Sequence, residues 1–205
     1  MEEMRIEELS DTEFDVLKEI SNIGTGNAAT AISKLLGGRV DIKVPDIRFL
    51  QFSELPEIMG GAENEVIGIL VSLQNDIDGM MMFVMDKPSA SVIVNGILNR
   101  DNEELGQEMS EMEISVLSEF GNIIAGSYLS AISGLTGMVV SPSVPALSDD
   151  MAGAILSVPA IEFGEMGDKM LMIETTFTDF STIDGYFVLV PDLPSYDKML
   201  SALGL

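Results

Sequence analysis

The chain has 205 residues, 46% apolar and 21% charged, with no Cys and no His, which excludes thiolate or imidazole metal sites, disulfides and Ser-His-Asp hydrolysis. Ten Lys and Arg against 34 Asp and Glu leave a net charge of −24, a field that repels nucleic-acid phosphates and anionic lipid. The same field draws in a partner that offers Lys or Arg, although strong acidity also serves solubility alone.

The opening MEEMRIEELSDTE has neither a basic n-region nor an apolar h-region, so a cytoplasmic protein is expected. A long helix follows, roughly Asp11 to Leu36, with Ser10 as N-cap and Gly37 to stop it. Arg39 to Phe49 is rich in Val and Ile and holds Pro45, as expected of an edge or bulged strand. Ser53–Asn64 reads as a connection, Glu65 to Leu73 as a strand, and an Ile-Asp-Gly turn leads into a strand over Met80–Met85. A short helix with proline near its start, Pro88 to Leu98, closes this part, and Asn99–Met109 is a linking loop.

The same order then recurs. A helix over Glu111 to Leu135, capped by Ser110 and Gly137, precedes strands over Met138 to Ala146, Lys169 to Thr178 and Tyr186–Val190, and a final helix over Pro194 to Leu203. A shift of 100 residues aligns DVLKEISNIGTGNAATAIS with SVLSEFGNIIAGSYLSAIS, and a shift of 106 aligns IDGMMMFVMDKPSA with IDGYFVLVPDLPSY. The chain is an internal duplication, about 11–99 and 110–205, and halves this small are expected to share one core in a single domain over 1–205. The expected class is α+β: a pseudo-two-fold, largely antiparallel sheet with two long helices packed on it and short helices ending each half.

Several other readings are weaker. Phe120 to Ser148 carries no charge, yet its glycines, serines and prolines, without Lys or Arg flanks, favour a buried helix over a membrane span. GTGNAA resembles a dinucleotide fingerprint but lies inside a helix pattern, so Gly24, Gly26, Ala28, Ala29 and Ala31, echoed by Ala125, Gly126 and Ala131, are read as small residues permitting close packing. The carboxylates Asp46, Glu54, Glu57, Glu63 and Glu65 lack EF-hand spacing, and Met80–Met81–Met82 reads as core filling.

What the two long helices share in polar residues is Asp15, Glu19 and Asn22 in one copy and Ser115, Glu119 and Asn122 in the other. Spacings of i, i+4 and i+7 set each trio on one face, while Val16, Leu17, Ile20 and Ile23 and their counterparts Val116, Leu117, Phe120 and Ile123 lie mostly on others. A lone Glu-x-x-Asn is ordinarily a solvated face. Here Lys18 has become Ser118 and Gly24 has become Ile124, yet Glu and Asn stand unchanged, and Asn is a mediocre mid-helix residue. An amide accepts a hydrogen bond from a water while its NH₂ donates elsewhere, which orients an attacking water; the carboxylate one turn earlier can act as a base or dock a cation. Such a minimal set suits a substrate already activated, such as an acyl phosphate, which brings its own metal.

These residues resemble the CheC–FliY–CheX family of chemotaxis phosphatases, whose pattern is Asp or Ser, three residues, Glu, two residues, Asn, twenty-two residues, Pro. Asp15, Glu19, Asn22 and Pro45 fit it without a gap, as do Ser115, Glu119, Asn122 and Pro145. Two intact motifs and no appended domain favour a CheC-like member over a CheX-like or FliY-like one. The resemblance implies hydrolysis of phospho-aspartate on a CheY-type response regulator, with each Asn orienting water and each Glu pairing with the partner's Lys. It also implies Mg²⁺ bound by the phosphorylated partner rather than by this chain, and binding of the receptor deamidase CheD. Apart from the resemblance, a duplicated chain that satisfies its pseudo-symmetry internally is expected to be a monomer, and its charge and composition predict no nucleic-acid or membrane partner. The rival reading is a non-catalytic adaptor that uses the same helix faces to hold the regulator or CheD.

Overall fold

The computed structural model describes residues 10–38, 41–51, 53–101, 103–106, 108–163, 169–178 and 183–205. Its elements run α1 (Asp11–Leu36), β1 (Asp41–Gln51), α2 (Leu55–Ile58), β2 (Glu65–Asn75), β3 (Gly79–Asp86) and α3 (Lys87–Leu98). The second copy contributes α4 (Glu111–Thr136), β4 (Val140–Pro142), β5 (Ala146–Met151), α5 (Ala152–Phe163), β6 (Lys169–Thr178), β7 (Ile183–Pro191) and α6 (Leu193–Ala202). Arg39, where the first strand was expected to start, lies outside the described residues, as do residues 1–9.

Both long helices begin and end as their sequences dictate. Ser10 and Ser110 each close a capping box with the Glu three residues on: the hydroxyl accepts from the Glu13 or Glu113 N–H, and the carboxylate accepts from the serine N–H at 2.7 Å. Gly37 and Gly137 terminate them with φ of 66° and 72°, a left-handed conformation in which a glycine has no Cβ to clash. The short helices are also built alike, since Asp86 and Asp192 cap them by accepting from the Ser89 and Ser195 N–H at 2.8 Å, with Pro88 and Pro194 in the first turn.

Among the described residues the seven strands form one sheet in the order β1-β6-β7-β3-β2-β4, with β5 also beside β2, and every ladder is antiparallel. The order is a palindrome of the two repeats, and the first strand of each copy lies against the other copy's second strand. At the centre, β3 and β7 pair so that Met82 faces Val188. These two are equivalent under the 106-residue shift, so the pseudo-two-fold axis passes through that pair.

The split of the Met138 to Ala146 strand corrects the sequence expectation. β4 and β5 are separated by Ser143, Val144 and Pro145, and both pair with β2. Ser143 replaces regular pairing there: its N–H donates to the Ser72 carbonyl at 2.9 Å and its hydroxyl accepts from the Ser72 N–H at 3.0 Å. Pro145 has no N–H to continue a ladder. In the first copy the register breaks between Lys43 and Asp46, around Pro45, and β1 remains one bulged edge strand. Each motif proline therefore marks an interruption of the ladder, a bulge in the first copy and a split strand in the second.

A second correction concerns α2 and α5. The first occupies part of the expected connection Ser53–Asn64, and the second, with Pro159 inside it, was not foreseen. They matter because they cover the other face of the sheet. On one face α1, α3 and α4 bury Leu17, Ile20, Ile93, Leu117, Phe120 and Tyr128 against Ile67, Ile69, Met81, Phe83, Met85, Phe187 and Leu189. On the opposite face Leu55, Met59, Ile155 and Leu156 meet Val66, Met80, Met82, Val84, Val188 and Val190. Covered on both sides, Met80, Met81 and Met82 are all buried, as the core reading of that cluster expected. Each such side chain removed from water contributes about 1.5–3 kcal/mol.

Aromatic contacts fasten α4 to the sheet centre. Phe120 meets Phe83 at a centroid distance of 5.8 Å, and Tyr128 stacks on Phe187 at 4.2 Å. Tyr128 also shares a 2.8 Å hydrogen bond with Thr25 of α1, and a Cβ on Gly24 would sit 2.7 Å from its ring. The glycine lets the two long helices cross, as the small-residue reading predicts for this position.

Two outcomes are expected. Gly24→Ala should destabilise the protein by about 1–3 kcal/mol in denaturant unfolding even though Ala is the better helix former, because its methyl overlaps Tyr128; a stabilised variant would show that the crossing is not tight. Glu113 is held below the usual carboxylate range chiefly by the Ser110 N–H and hydroxyl, against desolvation, with help from Arg100 at 2.8 Å. A depressed carboxyl stabilises the fold above its unfolded pKa, and the effect is lost as pH falls through the folded one. Glu113→Gln should therefore cost about 0.5–1 kcal/mol at pH 7, and the gap to wild type should narrow as pH falls below the free carboxylate value of about 4.3. Unfolding curves recorded across that range check it, and a constant gap would deny the charge a role.

Candidate functional site

Burying Leu17 and Ile20, or Leu117 and Phe120, against the sheet turns the opposite stripe of each long helix to solvent. Asp15, Glu19 and Asn22 are all exposed on α1, and Ser115, Glu119 and Asn122 are all exposed on α4. Glu and Asn lie three residues apart, about 4.5 Å along the axis and on neighbouring rows, so one docking group can meet both. Among the described residues, none of these four side chains has a hydrogen-bond or ion-pair partner. Of the motif prolines, Pro145 is half-buried in the loop between β4 and β5, and Pro45 sits in the β1 bulge. Neither proline is on the helix stripe; each lies in the strand that follows its helix.

The two stripes are linked below the surface. Thr25 stands one turn beyond Asn22, and its bond to Tyr128 reaches the helix that carries Asn122. The pseudo-two-fold thus relates two polar stripes on helices that pack on each other and rest on one sheet. A carboxylate and an amide alone offer too few donors to enclose a hard cation. Glu54, Glu57, Glu63 and Glu65 are exposed, Glu65 is paired with Lys87 at 2.9 Å, and no cluster of three or more carboxylates suited to a metal occurs among the described residues. The side chain of Asp46 lies outside the described residues.

Two features on or beside the stripe escaped sequence reasoning. Phe14 and Ile114, one residue before Asp15 and Ser115, are large apolar side chains left exposed at equivalent positions of the repeat. The 100-residue alignment pairs them, but their burial was not legible without the sheet. Gly26 and Gly126 were read as packing residues with Gly24, yet a Cβ on either meets no heavy atom of the described residues within 4 Å. Tight packing explains Gly24, and Gly121, whose Cβ would overlap Ile69, but not this pair.

Comparison with known proteins fits this architecture. Over 202 residues the chain is 35% identical to the CheY-P phosphatase CheC of Bacillus subtilis (strain 168), covering 96% of each. Its fold superposes on the crystal structure of FliY from Thermotoga maritima with a TM-score of 0.74 at 23% identity, covering 96% of this chain and 98% of that one. A complex of CheX with CheY, BeF₃ and Mg²⁺ from Borrelia burgdorferi matches at a TM-score of 0.53 and 16% identity, over 82% of this chain and 96% of that one. No helix among the described residues is long and apolar enough to cross a membrane. Residues 13–48 and 112–148, the spans from each capping-box Glu region through the motif proline, match the CheC-like family, and with the full-length identity this shows that the chain belongs to it.

Proposed function

We propose that this chain is a chemotaxis phosphatase that hydrolyses the phospho-aspartate of a CheY-type response regulator, with one site on α1 and one on α4. The observation that carries the reading is the repeated stripe: the same Glu and Asn, exposed and unengaged, at equivalent positions of two pseudo-symmetric helices. Relatives named for activity on CheY-P, and a structural neighbour solved with CheY, support the substrate class.

The chemistry follows from what the side chains can do. An acyl phosphate is a high-energy bond, so little is needed beyond placing a water in line with it. The Asn22 or Asn122 carbonyl accepts one hydrogen of that water and directs its oxygen at phosphorus, while the amide NH₂ holds a neighbouring oxygen. The P–O bond to the regulator's aspartate breaks as the water–phosphorus bond forms, giving a carboxylate and inorganic phosphate. Glu19 or Glu119, one turn earlier, forms an ion pair with the regulator's Lys and fixes the approach. Mg²⁺ belongs to the regulator in this reading, consistent with the sparse donor set here, and neutralises phosphoryl charge. The net charge of −24 favours encounter with any regulator face that presents Lys.

Exposed Asn is dispensable to the fold, which makes the test clean. Asn22→Ala combined with Asn122→Ala should slow phosphatase turnover by about 10²–10³-fold with regulator binding nearly intact, measured as decay of the phosphorylated regulator in Mg²⁺. Full activity in the double variant would remove the water-orienting role, and binding without any acceleration by the wild type would favour the adaptor. Glu119→Lys in an Asn22→Ala background should raise KM, and added salt should narrow the difference from the parent. An unchanged KM at all salt concentrations would count against the Glu–Lys contact.

A further inference from the structure

Glycine in a helix interior weakens the helix, so each mid-helix glycine in α1 and α4 asks for a reason. Gly24 makes room for Tyr128 and Gly121 for Ile69. Gly26 and Gly126 make room for nothing within the described residues, although they occupy the same place in both repeats. Gly134 is equally open, but its counterpart is Lys34, so glycine is not shared there.

Position supplies the reason. Gly26 and Gly126 stand four residues after Asn22 and Asn122, one turn onward on the same face, about 6 Å along the axis. Because Cα–Cβ bonds tilt toward a helix N-terminus, any side chain at these positions leans back over the turn that carries the Asn. It would fill the space beside the amide.

We infer that Gly26 and Gly126 are positioning residues of the two sites, keeping the helix at backbone height beside each Asn so that the regulator surface around the phospho-aspartate can settle onto the amide. This inference rests on the phosphatase reading and deepens it. The helix instability the glycines bring is retained for the fit to the partner, with no fit among the described residues to account for it.

The experiment compares wild type, Asn22→Ala/Asn122→Ala, Gly26→Ala/Gly126→Ala and Gly26→Gln/Gly126→Gln in phosphorylated-regulator decay, with a thermal melt of each. Both glycine variants remove helix-weakening residues at open positions, so their melting temperatures should rise by about 2–4 °C. KM for the phosphorylated regulator should nevertheless increase about threefold with Ala and about tenfold or more with Gln, tracking side-chain size, while kcat at saturation changes less. A Gln variant with wild-type KM overturns the inference, and so does a loss of activity accompanied by a lowered melting temperature, which would mark a structural role. If wild type accelerates decay and the Asn variant does not, that result concerns the glycines alone. If wild type fails to accelerate decay, the phosphatase reading itself falls and takes this inference with it.

Discussion

The β3–β7 ladder is the interaction on which everything else hangs. Met82 and Val188 face each other on the pseudo-two-fold axis, and from there the sheet grows outward in the same strand order in both directions, with a single edge strand on one side and a split one on the other. Phe83 and Phe187, one residue along and paired across the same ladder, receive Phe120 and Tyr128 of α4. Since α1 is packed onto α4 through Gly24 and Thr25, the placement of both polar stripes is referred to one cross-strand pair. The central strands β2, β3 and β7, buried on both faces, have little freedom to flex, which suits the positioning role proposed for the two stripes.

The copies are not mechanically equal. Tyr128 and Phe120 of α4 correspond to Ala28 and Ile20 of α1, so one stripe is anchored by stacked rings and the other by smaller contacts. The Arg100 link likewise strengthens the start of α4 only among the described residues. The same Glu and Asn are thus mounted on two differently packed supports.

Much of this was legible in the sequence because duplication writes each signal twice. Helix limits at Ser10 and Gly37, and at Ser110 and Gly137, followed from capping chemistry that is local and needs no tertiary context. The polar stripe followed from helical periodicity and from Glu and Asn standing unchanged while neighbours varied. What failed was decided elsewhere in space. AGAILSVPAIEF is apolar all round with an internal proline, so α5 has no amphipathic signature, and its helix is paired with a sheet face that only the full topology creates. The strand over Met138 to Ala146 broke because a serine side chain satisfied the Ser72 N–H, a choice invisible to composition. Gly24 and Gly26 look alike in the sequence; one meets a tyrosine and the other meets nothing among the described residues.

The exchange of first strands between the copies bears on how the chain comes off the ribosome. Asp41 of β1 pairs with Thr178 of β6, and Glu65 of β2 with Met151 of β5, so the first repeat is synthesised long before either of its edges finds its neighbour. Until the second repeat emerges, β1 lacks its β6 neighbour, with no ladder to its own half among the described residues, and β2 keeps one open flank, the kind of exposed edge that invites pairing with a wrong chain. Vectorial folding of one half and then the other is closed to this topology. The surplus of carboxylates, which keeps nascent chains apart by simple repulsion, then protects the protein before it has any partner to meet.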